Sequence, residues 1–295
     1  MMLNHICNPF HGCFATIIAE ARRIVKSILP GVFHLTAPGR GGYDSIIPAS
    51  GVQRMSGQFS RSVALLQEEG FARLRQARVA VFGVGGVGGY VCEALVRSGL
   101  RRLDIFDMDD VSETNLNRQV IALHSTLGQD KCETMAARLR DIDPEAEIVC
   151  RRMFYLPENA DSVDLTQYDY VVDAVDTVAA KIELALRCTS LNVPLIAAMG
   201  AGNKIDPSRL QIADISKTSV CPLARAMRTA LRKRGVTHLT VAYSTEEPVR
   251  PAAPIDPDSG RRKDVPGSMV FVPAAMGLLI ASYVVRQLAL DCPEK

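Results

Sequence analysis

The chain has 295 residues, with Lys+Arg 34 against Asp+Glu 32 and a formal charge of +2. A hydrophobic share of 47% beside 22% charged residues belongs to a globular protein with a real core, which excludes a disordered, collagenous or coiled-coil chain. So even a balance also excludes a surface that seeks polyanions everywhere; any nucleic-acid contact has to be a local patch.

Residues 1–54 are expected to be an unstructured N-terminal extension. Their apolar run, Phe14 to Ile18, is soon interrupted by Glu20, Arg22 and Arg23. It is too short to span a bilayer and lacks the basic segment that precedes the apolar core of a signal peptide. Pro38-Gly39-Arg40-Gly41-Gly42 reads as loop, and Met55 reads as the true start.

Residues 55–290 are expected to form a single domain. Arg78 to Phe82 is an apolar strand stopped by Gly83, and Tyr90 to Ser98 is a helix with Gly99 as its C-terminal stop. Leu103 to Phe106 is a second strand. Lys131 to Asp141 is helical, Glu147 to Cys150 and Tyr170 to Asp173 are extended, Ala179 to Leu191 is helical, and Pro194 to Met199 is extended. Strands separated by single helices predict parallel βαβ units. The fold class is therefore α/β: a doubly wound, Rossmann-like, mostly parallel sheet with helices on both faces, extended by a C-terminal strand and helix region.

The Pro-, Asp- and Arg-rich stretch 246–267 is expected to be a mobile loop. Beyond it, Ser268 to Leu290 is almost continuously apolar and long enough to cross a membrane. Pro273 and Gly277 near its start and Arg286-Gln287 before its end favour a helix buried on several sides in a soluble core. Peripheral membrane attachment through this end stays open. The eight cysteines (Cys7, Cys13, Cys92, Cys132, Cys150, Cys188, Cys221 and Cys292) contain no C-x-x-C pair. They read as reduced thiols, several of them in apolar segments, of a cytoplasmic protein.

Gly83-Val84-Gly85-Gly86-Val87-Gly88 has the G-x-G-x-x-G spacing after a strand and before a helix. The first glycine permits the turn, the next lets backbone N–H groups approach phosphate, and the third lets the helix pack on the sheet with its positive end towards the anion. Asp107, at the tip of the second strand, is placed to accept hydrogen bonds from ribose hydroxyls. Two cations downstream, Arg118 and Lys131, suit a triphosphate better than a nicotinamide. Asp176, after the strand ending in Asp173, is expected to hold Mg²⁺ against phosphate oxygens.

These residues resemble the ubiquitin-activating-enzyme superfamily, through the glycine run, Asp107-x-Asp109, Asn115-Leu116-Asn117-Arg118-Gln119, Gly128-x-x-Lys131 and Asp173-x-x-Asp176. The resemblance implies enzymes that adenylate a carboxylate with ATP. It implies that Gly83, Gly85, Gly86 and Gly88 hold phosphate and Asp107 the ribose. Asn115, Arg118 and Lys131 would contact phosphates, Gln119 would support them, and Asp176 would bind magnesium. Phe59-Ser60-Arg61 is similar to the family's arginine segment, which implies a homodimer in which Arg61 acts in the neighbouring subunit's site. The segments Gly200 to Pro207, Ile212 to Thr218, Pro222-Leu223-Ala224, Tyr243 to Pro248 and Phe271-Val272-Pro273 are similar to the tRNA threonylcarbamoyladenosine dehydratase branch. That branch cyclises the threonylcarbamoyl group beside the tRNA anticodon at the expense of ATP.

The implied chemistry suits the residues. ATP turns a carboxylate oxygen into a leaving group through an acyl-adenylate, and a urea nitrogen of the same substituent closes the ring, so proximity replaces an external nucleophile. No catalytic cysteine is required, and Cys221 is expected to be structural. Arg225, Arg228 and Arg232 recur on one face of a helix from Pro222 to Gly235, with Lys233 and Arg234 in its last turn. They read as a tRNA-phosphate surface or as an ordinary solvated face; Lys204, Lys217 and Arg261-Arg262-Lys263 could add to it. Two other functions stay open: an adenylyltransferase for a ubiquitin-like sulfur carrier, and a nicotinamide-dependent oxidoreductase or nucleotide-sensing protein. A cysteine desulfurase or other sulfur-relay partner also stays open.

Overall fold

The computed structural model describes residues 57–250 and 266–290. The expected extension 1–54, the start at Met55, most of the expected mobile loop 246–267, Arg261-Arg262-Lys263, and Cys7, Cys13 and Cys292 lie outside the described residues. The described chain begins with α1 (Ser60–Gln76), β1 (Arg78–Phe82), α2 (Gly88–Ser98), β2 (Arg102–Phe106), α3 (Lys131–Ile142) and β3 (Glu147–Arg151). It continues with β4 (Tyr170–Asp173), α4 (Val178–Leu191), β5 (Leu195–Ala198), β6 (Leu210–Asp214), α5 (Pro222–Arg232), β7 (Thr240–Ser244) and α6 (Phe271–Ala289).

The strands form one sheet in the order β3-β2-β1-β4-β5-β7-β6. All neighbours are parallel except β6, which runs antiparallel to β7 at the edge. This is the expected doubly wound α/β fold. The strand order reverses between β1 and β4, and ligands of such sheets bind outside the carboxyl ends of the strands at that point.

Alternate side chains of β1 show how both faces are used. Val79 and Val81 pack into one core with Leu95 of α2, Met135 of α3 and Ile280 of α6. Ala80 and Phe82 pack into the other with Leu184 of α4 and Met227 and Leu231 of α5. A parallel strand covered on both sides must be apolar along its whole length, which is why β1 reads as a continuous run rather than an alternation.

Three elements carry no clear sequence signal. Helix α1 buries only Gly70, Phe71 and Leu74, and its helical backbone is broken at Gln67 (φ 61°). Strand β6 is a half-exposed edge strand, and β7 is a run of five that periodicity alone does not separate from a helix turn. The ends of the 246–267 stretch are anchored: the Glu246 carboxylate accepts from the Ile205 and Asp206 N–H groups, and Gly267 N–H donates to Asn203 Oδ1.

Among the described residues α6 alone is long and apolar enough to cross a membrane. Here it packs on α2 and α1, burying Val272, Met276, Ile280, Ala281, Val284 and Ala289. Gly277 makes the crossing possible, because a Cβ there would lie 2.5 Å from the Val87 carbonyl oxygen and 2.8 Å from Tyr90 Cβ. Replacing Gly277 by Ala forces α6 off the first turn of α2, and such overpacking costs about 1–3 kcal/mol. Urea unfolding of Gly277→Ala is expected to show that loss; an unchanged midpoint would contradict the close crossing.

Candidate active site

The turn after β1 and the loop after β4 meet at the reversal point and enclose a cavity of about 400 Å³. Gly83 has φ +91°, and a Cβ on it would lie 2.7 Å from the Ala174 carbonyl oxygen. A Cβ on Gly88 would fall 1.8 Å from the Gly83 carbonyl oxygen. No larger residue fits at either place, so the glycine spacing is a steric requirement of the turn. It aims the amino end of α2, where N–H groups lack intrahelical partners, at the cavity.

Of the residues expected to act there, Gly83, Gly85, Gly86, Asp107, Asn115, Arg118, Gln119, Lys131 and Asp176 all line this cavity. Gly88 lies behind it in the first turn of α2. Arg61 is exposed on α1 and is not among the lining residues. As expected, β4 stops at Asp173, and Asp176 lies exposed in the following loop.

Local hydrogen bonds explain how residues far apart in sequence converge. Asp107 Oδ2 accepts from Val84 N–H at 2.7 Å and Oδ1 from Asp109 N–H at 2.9 Å, so this carboxylate pins the phosphate turn to the tip of β2. A carboxylate has about four acceptor positions, which leaves room for ribose hydroxyls as well. Residues 109–111 pair with 128–131 through Lys131 N–H to Asp109 O, Val111 N–H to Gln129 O and Gly128 N–H to Val111 O. That pairing delivers Lys131, the first residue of α3, to the cavity, while the Asp130 carboxylate caps the helix by accepting from Glu133 N–H. Asn115 is buried and its Oδ1 accepts from Ser112 N–H, fixing the turn that carries Arg118.

The two cations are held by partners of different strength. Lys131 Nζ is 2.8 Å from Asp109 Oδ2, with the lysine side chain 7% and the aspartate 70% exposed. The aspartate can therefore swing into solvent when a phosphate takes its place. Arg118 Nη1 donates to Thr114 O and Asn117 Oδ1, and its other nitrogens have no partner among the described residues. The buried Oε1 of Gln119 also has no partner, beside a turn built for a polar ligand.

Sequence reasoning missed the apolar wall formed by Met108, Phe154 and Val175. Its signal is weak, because an exposed Phe after an edge strand reads as loop. It also missed two ion pairs, Asp109–Lys131 and Asp173–Lys181, which need tertiary distances. The expected basic surface is smaller than its sequence pattern. Arg228 Nη1 donates inward to Ile215 O, Thr218 O and Thr218 Oγ1, and Lys204 is buried with its Nζ on Glu246 O. Both act as structural staples: Arg228 joins the Thr218 hydroxyl and N–H on the Ile215 carbonyl, and Lys204 ties Glu246 to the segment after β5. Arg225, Arg232, Lys233, Arg234 and Lys217 remain exposed.

Residues 59–295 match the ThiF family. The chain belongs to that family. It is similar to the tRNA threonylcarbamoyladenosine dehydratase of Bacillus subtilis (strain 168), 44% identical over 246 residues that cover 81% of this chain and 97% of that protein. It resembles the solved structure of the E. coli tRNA N6-threonylcarbamoyladenosine dehydratase TcdA in complex with ATP, at 33% identity and TM-score 0.70, over 78% of this chain and 93% of that one. The adenylyltransferase and sulfurtransferase MOCS3 of Drosophila sechellia is 30% identical over 138 residues, only 47% of this chain and 30% of that protein.

The thiols near this ThiF-family site are poor nucleophiles. Burial pushes Cys132, Cys150 and Cys188 up to about 12, and Cys92 higher still, with the Asp107 carboxylate adding to the shift at Cys132. Cys221 is buried as the residue capping α5, as expected of a structural cysteine. The thiolate is the reactive form, so native protein at pH 8 is expected to resist iodoacetamide at these four shifted cysteines and to react at all of them once unfolded. Rapid native labelling of Cys132 would contradict the assignment.

Proposed function

We propose that this protein uses ATP to dehydrate threonylcarbamoyladenosine in tRNA, closing its threonyl carboxylate onto a urea nitrogen of the same substituent. The observation that carries the reading is the convergence of Arg118, Lys131, Asp107 and Asp176 around the glycine turn, together with dehydratases that match this chain over most of its length. Bound ATP supplies the phosphate that makes a carboxylate oxygen a good leaving group. The sulfur-carrier reading gains no observation of its own, since its relative matches less than half of the chain.

The roles follow from position. Gly83, Gly85, Gly86 and the first turn of α2 hold phosphate oxygens, and Gly88 keeps that turn against the strand. Asp107 holds the ribose while bracing the turn. Arg118 and Lys131 stabilise charge on the phosphates, and Asn115 and Gln119 fix the segment that carries Arg118. No group of three His, Cys, Asp or Glu side chains converges among the described residues, so a metal here would take one carboxylate, Asp176, plus phosphate oxygens and water. That donor set suits Mg²⁺, which keeps most of its waters and leans on substrate phosphates.

A homodimer completes the reading, with Arg61 entering the partner's cavity. Its support is that Arg61 stands exposed on a turn of α1 set off by the break at Gln67, beside the 83% exposed Leu65. Exposed Arg225 lies one turn from the start of α5, which approaches Gly200 beyond β5, and with exposed Arg232 to Arg234 it offers a surface for tRNA phosphates. We assign the protein to the cytoplasm, with exposed Phe271 and Leu278 of α6 as the means of any peripheral membrane contact.

Purified protein, Mg-ATP and tRNA carrying the open form of the nucleoside are expected to yield a nucleoside lighter by one water, read by mass spectrometry after digestion. Nucleotide binding without that loss would overturn the dehydratase reading. Arg61→Ala and Lys131→Ala are each expected to be inactive. Mixed in equal amounts and allowed to exchange subunits, they should regain about a quarter of wild-type turnover, because half the dimers then hold one complete site. No recovery on mixing would remove the action of Arg61 in the partner.

A further inference from the structure

We propose that Lys181 and Asp173 form a positioning pair that sets the loop 174–176 and thereby presents Asp176 to the nucleotide; this rests on the nucleotide reading above. Asp173 ends β4 and is fully buried, as is Lys181 in the first turns of α4. Lys181 Nζ lies 2.9 Å from each carboxylate oxygen, and Asp173 Oδ1 also accepts from Val175 N–H at 3.2 Å. Neither side chain lines the cavity. A lysine five residues beyond Asp176 is an obvious candidate for phosphate, yet both ends of its bond are sealed beneath the site.

Stability alone is a weak reason for such a pair, because desolvating two charges is costly and well-packed apolar replacements are often as stable. What the pair does is hold a loop that little else holds. Ala174 N–H donates to Phe82 O, and Ala174 is wedged against Gly83 and Gly88 of the phosphate turn. The next amide, Val175, is fixed by the Asp173 carboxylate. Beyond it Val175 and Asp176 face the cavity, and among the described residues the one hydrogen bond to the Asp176 carboxylate comes from Thr177 Oγ1 at 3.3 Å. The direction of Asp176 is thus inherited from the buried pair that brackets it, Asp173 three residues before and Lys181 five residues after. Groups behind a metal ligand tune it in just this way, and their loss typically lowers metal affinity or activity about 10–100-fold.

The test is the double variant Asp173→Leu/Lys181→Met, which removes both charges and leaves no unpaired ion, compared with Lys181→Arg. Melting temperature reports folding, and amide hydrogen exchange at 174–176 in nucleotide-free protein reports the loop. Binding of a fluorescent ATP analogue at varied Mg²⁺ reports the site. The double variant is expected to melt near wild type, exchange faster at Val175, and need about tenfold more Mg²⁺ for half-maximal binding, with magnesium-free affinity unchanged. In turnover kcat should fall with little change in KM for ATP. Lys181→Arg, which can keep the pairing, should recover most of both. A folded double variant with wild-type Mg²⁺ dependence overturns the positioning role. Should the double variant not fold, Lys181→Gln, which removes the ammonium but keeps a donor towards Asp173, decides instead: it is expected to raise the Mg²⁺ requirement, and an unshifted requirement in the folded variant overturns the role. Wild-type protein that binds no Mg-ATP overturns the nucleotide reading and this role together.

Discussion

The contact on which the site depends is the one between two backbones, where the Gly83–Gly88 turn folds against the end of β4. Side-chain atoms are excluded at Gly83 and Gly88 by distances shorter than van der Waals contact, so the turn needs glycine at both positions. Once it forms, three things follow: the amino end of α2 points past the carboxyl edge of the sheet, Ala174 lies under the turn, and the residues after β2 and β4 become the walls of one cavity. The same nesting fixes where α6 can lie. Gly277 rides over the Val87 carbonyl and Pro273 touches the turn at Gly86, so a helix from the far end of the chain buttresses the first turn of α2.

Electrostatics in the cavity is arranged so that each cation is held without being spent. Lys131 is nearly buried, a position that is costly for a lone ammonium, and the exposed Asp109 carboxylate neutralises it. Arg118 is oriented by a carbonyl and an amide, which fix the guanidinium without cancelling its charge. The negative groups divide by burial. Asp173 is sealed with Lys181, Asp107 is bound to two backbone amides, and Asp176 is left exposed with one weak contact. Three aspartates at or just beyond the ends of β2 and β4, the two strands that flank β1, therefore differ in burial and in partners. With the nearby thiols held protonated by burial, the chemistry of this site rests on phosphate and carboxylate oxygens.

Helix α6 shows how local composition and tertiary context can disagree. Its apolar run is long enough for a bilayer, yet it packs on two helices through one face, Val272, Met276, Ile280 and Val284, rather than being buried on several sides as expected, and Phe271 and Leu278 stay exposed. The basic face of α5 shows the converse. Arg225, Arg228 and Arg232 have the spacing of one exposed stripe, but Arg228 turns inward to satisfy the carbonyls of Ile215 and Thr218. A helical period says which side chains share a face; it does not say which of them finds a buried acceptor within reach.

The sequence by itself determined the parallel sheet, the glycine turn, the nucleotide character of the site and nine of the residues that line it. Those signals are local: apolar runs that can only be buried strands, glycines at a spacing fixed by sterics, and charged residues just beyond strand ends. Tertiary structure alone decided what each charge is paired with. It turned Lys204 from a candidate surface cation into a buried partner, sealed Asp173 with Lys181, and supplied Met108 and Phe154 as an apolar wall. It also assembled α1 and β6, whose own patterns are weak because they bury few side chains, and β7, which is buried between β5 and β6 but is too short for its period to tell strand from helix turn. The reason is one of range: periodicity and turn chemistry act over a few residues, whereas burial and ion pairing depend on distances between segments that only the folded sheet brings together.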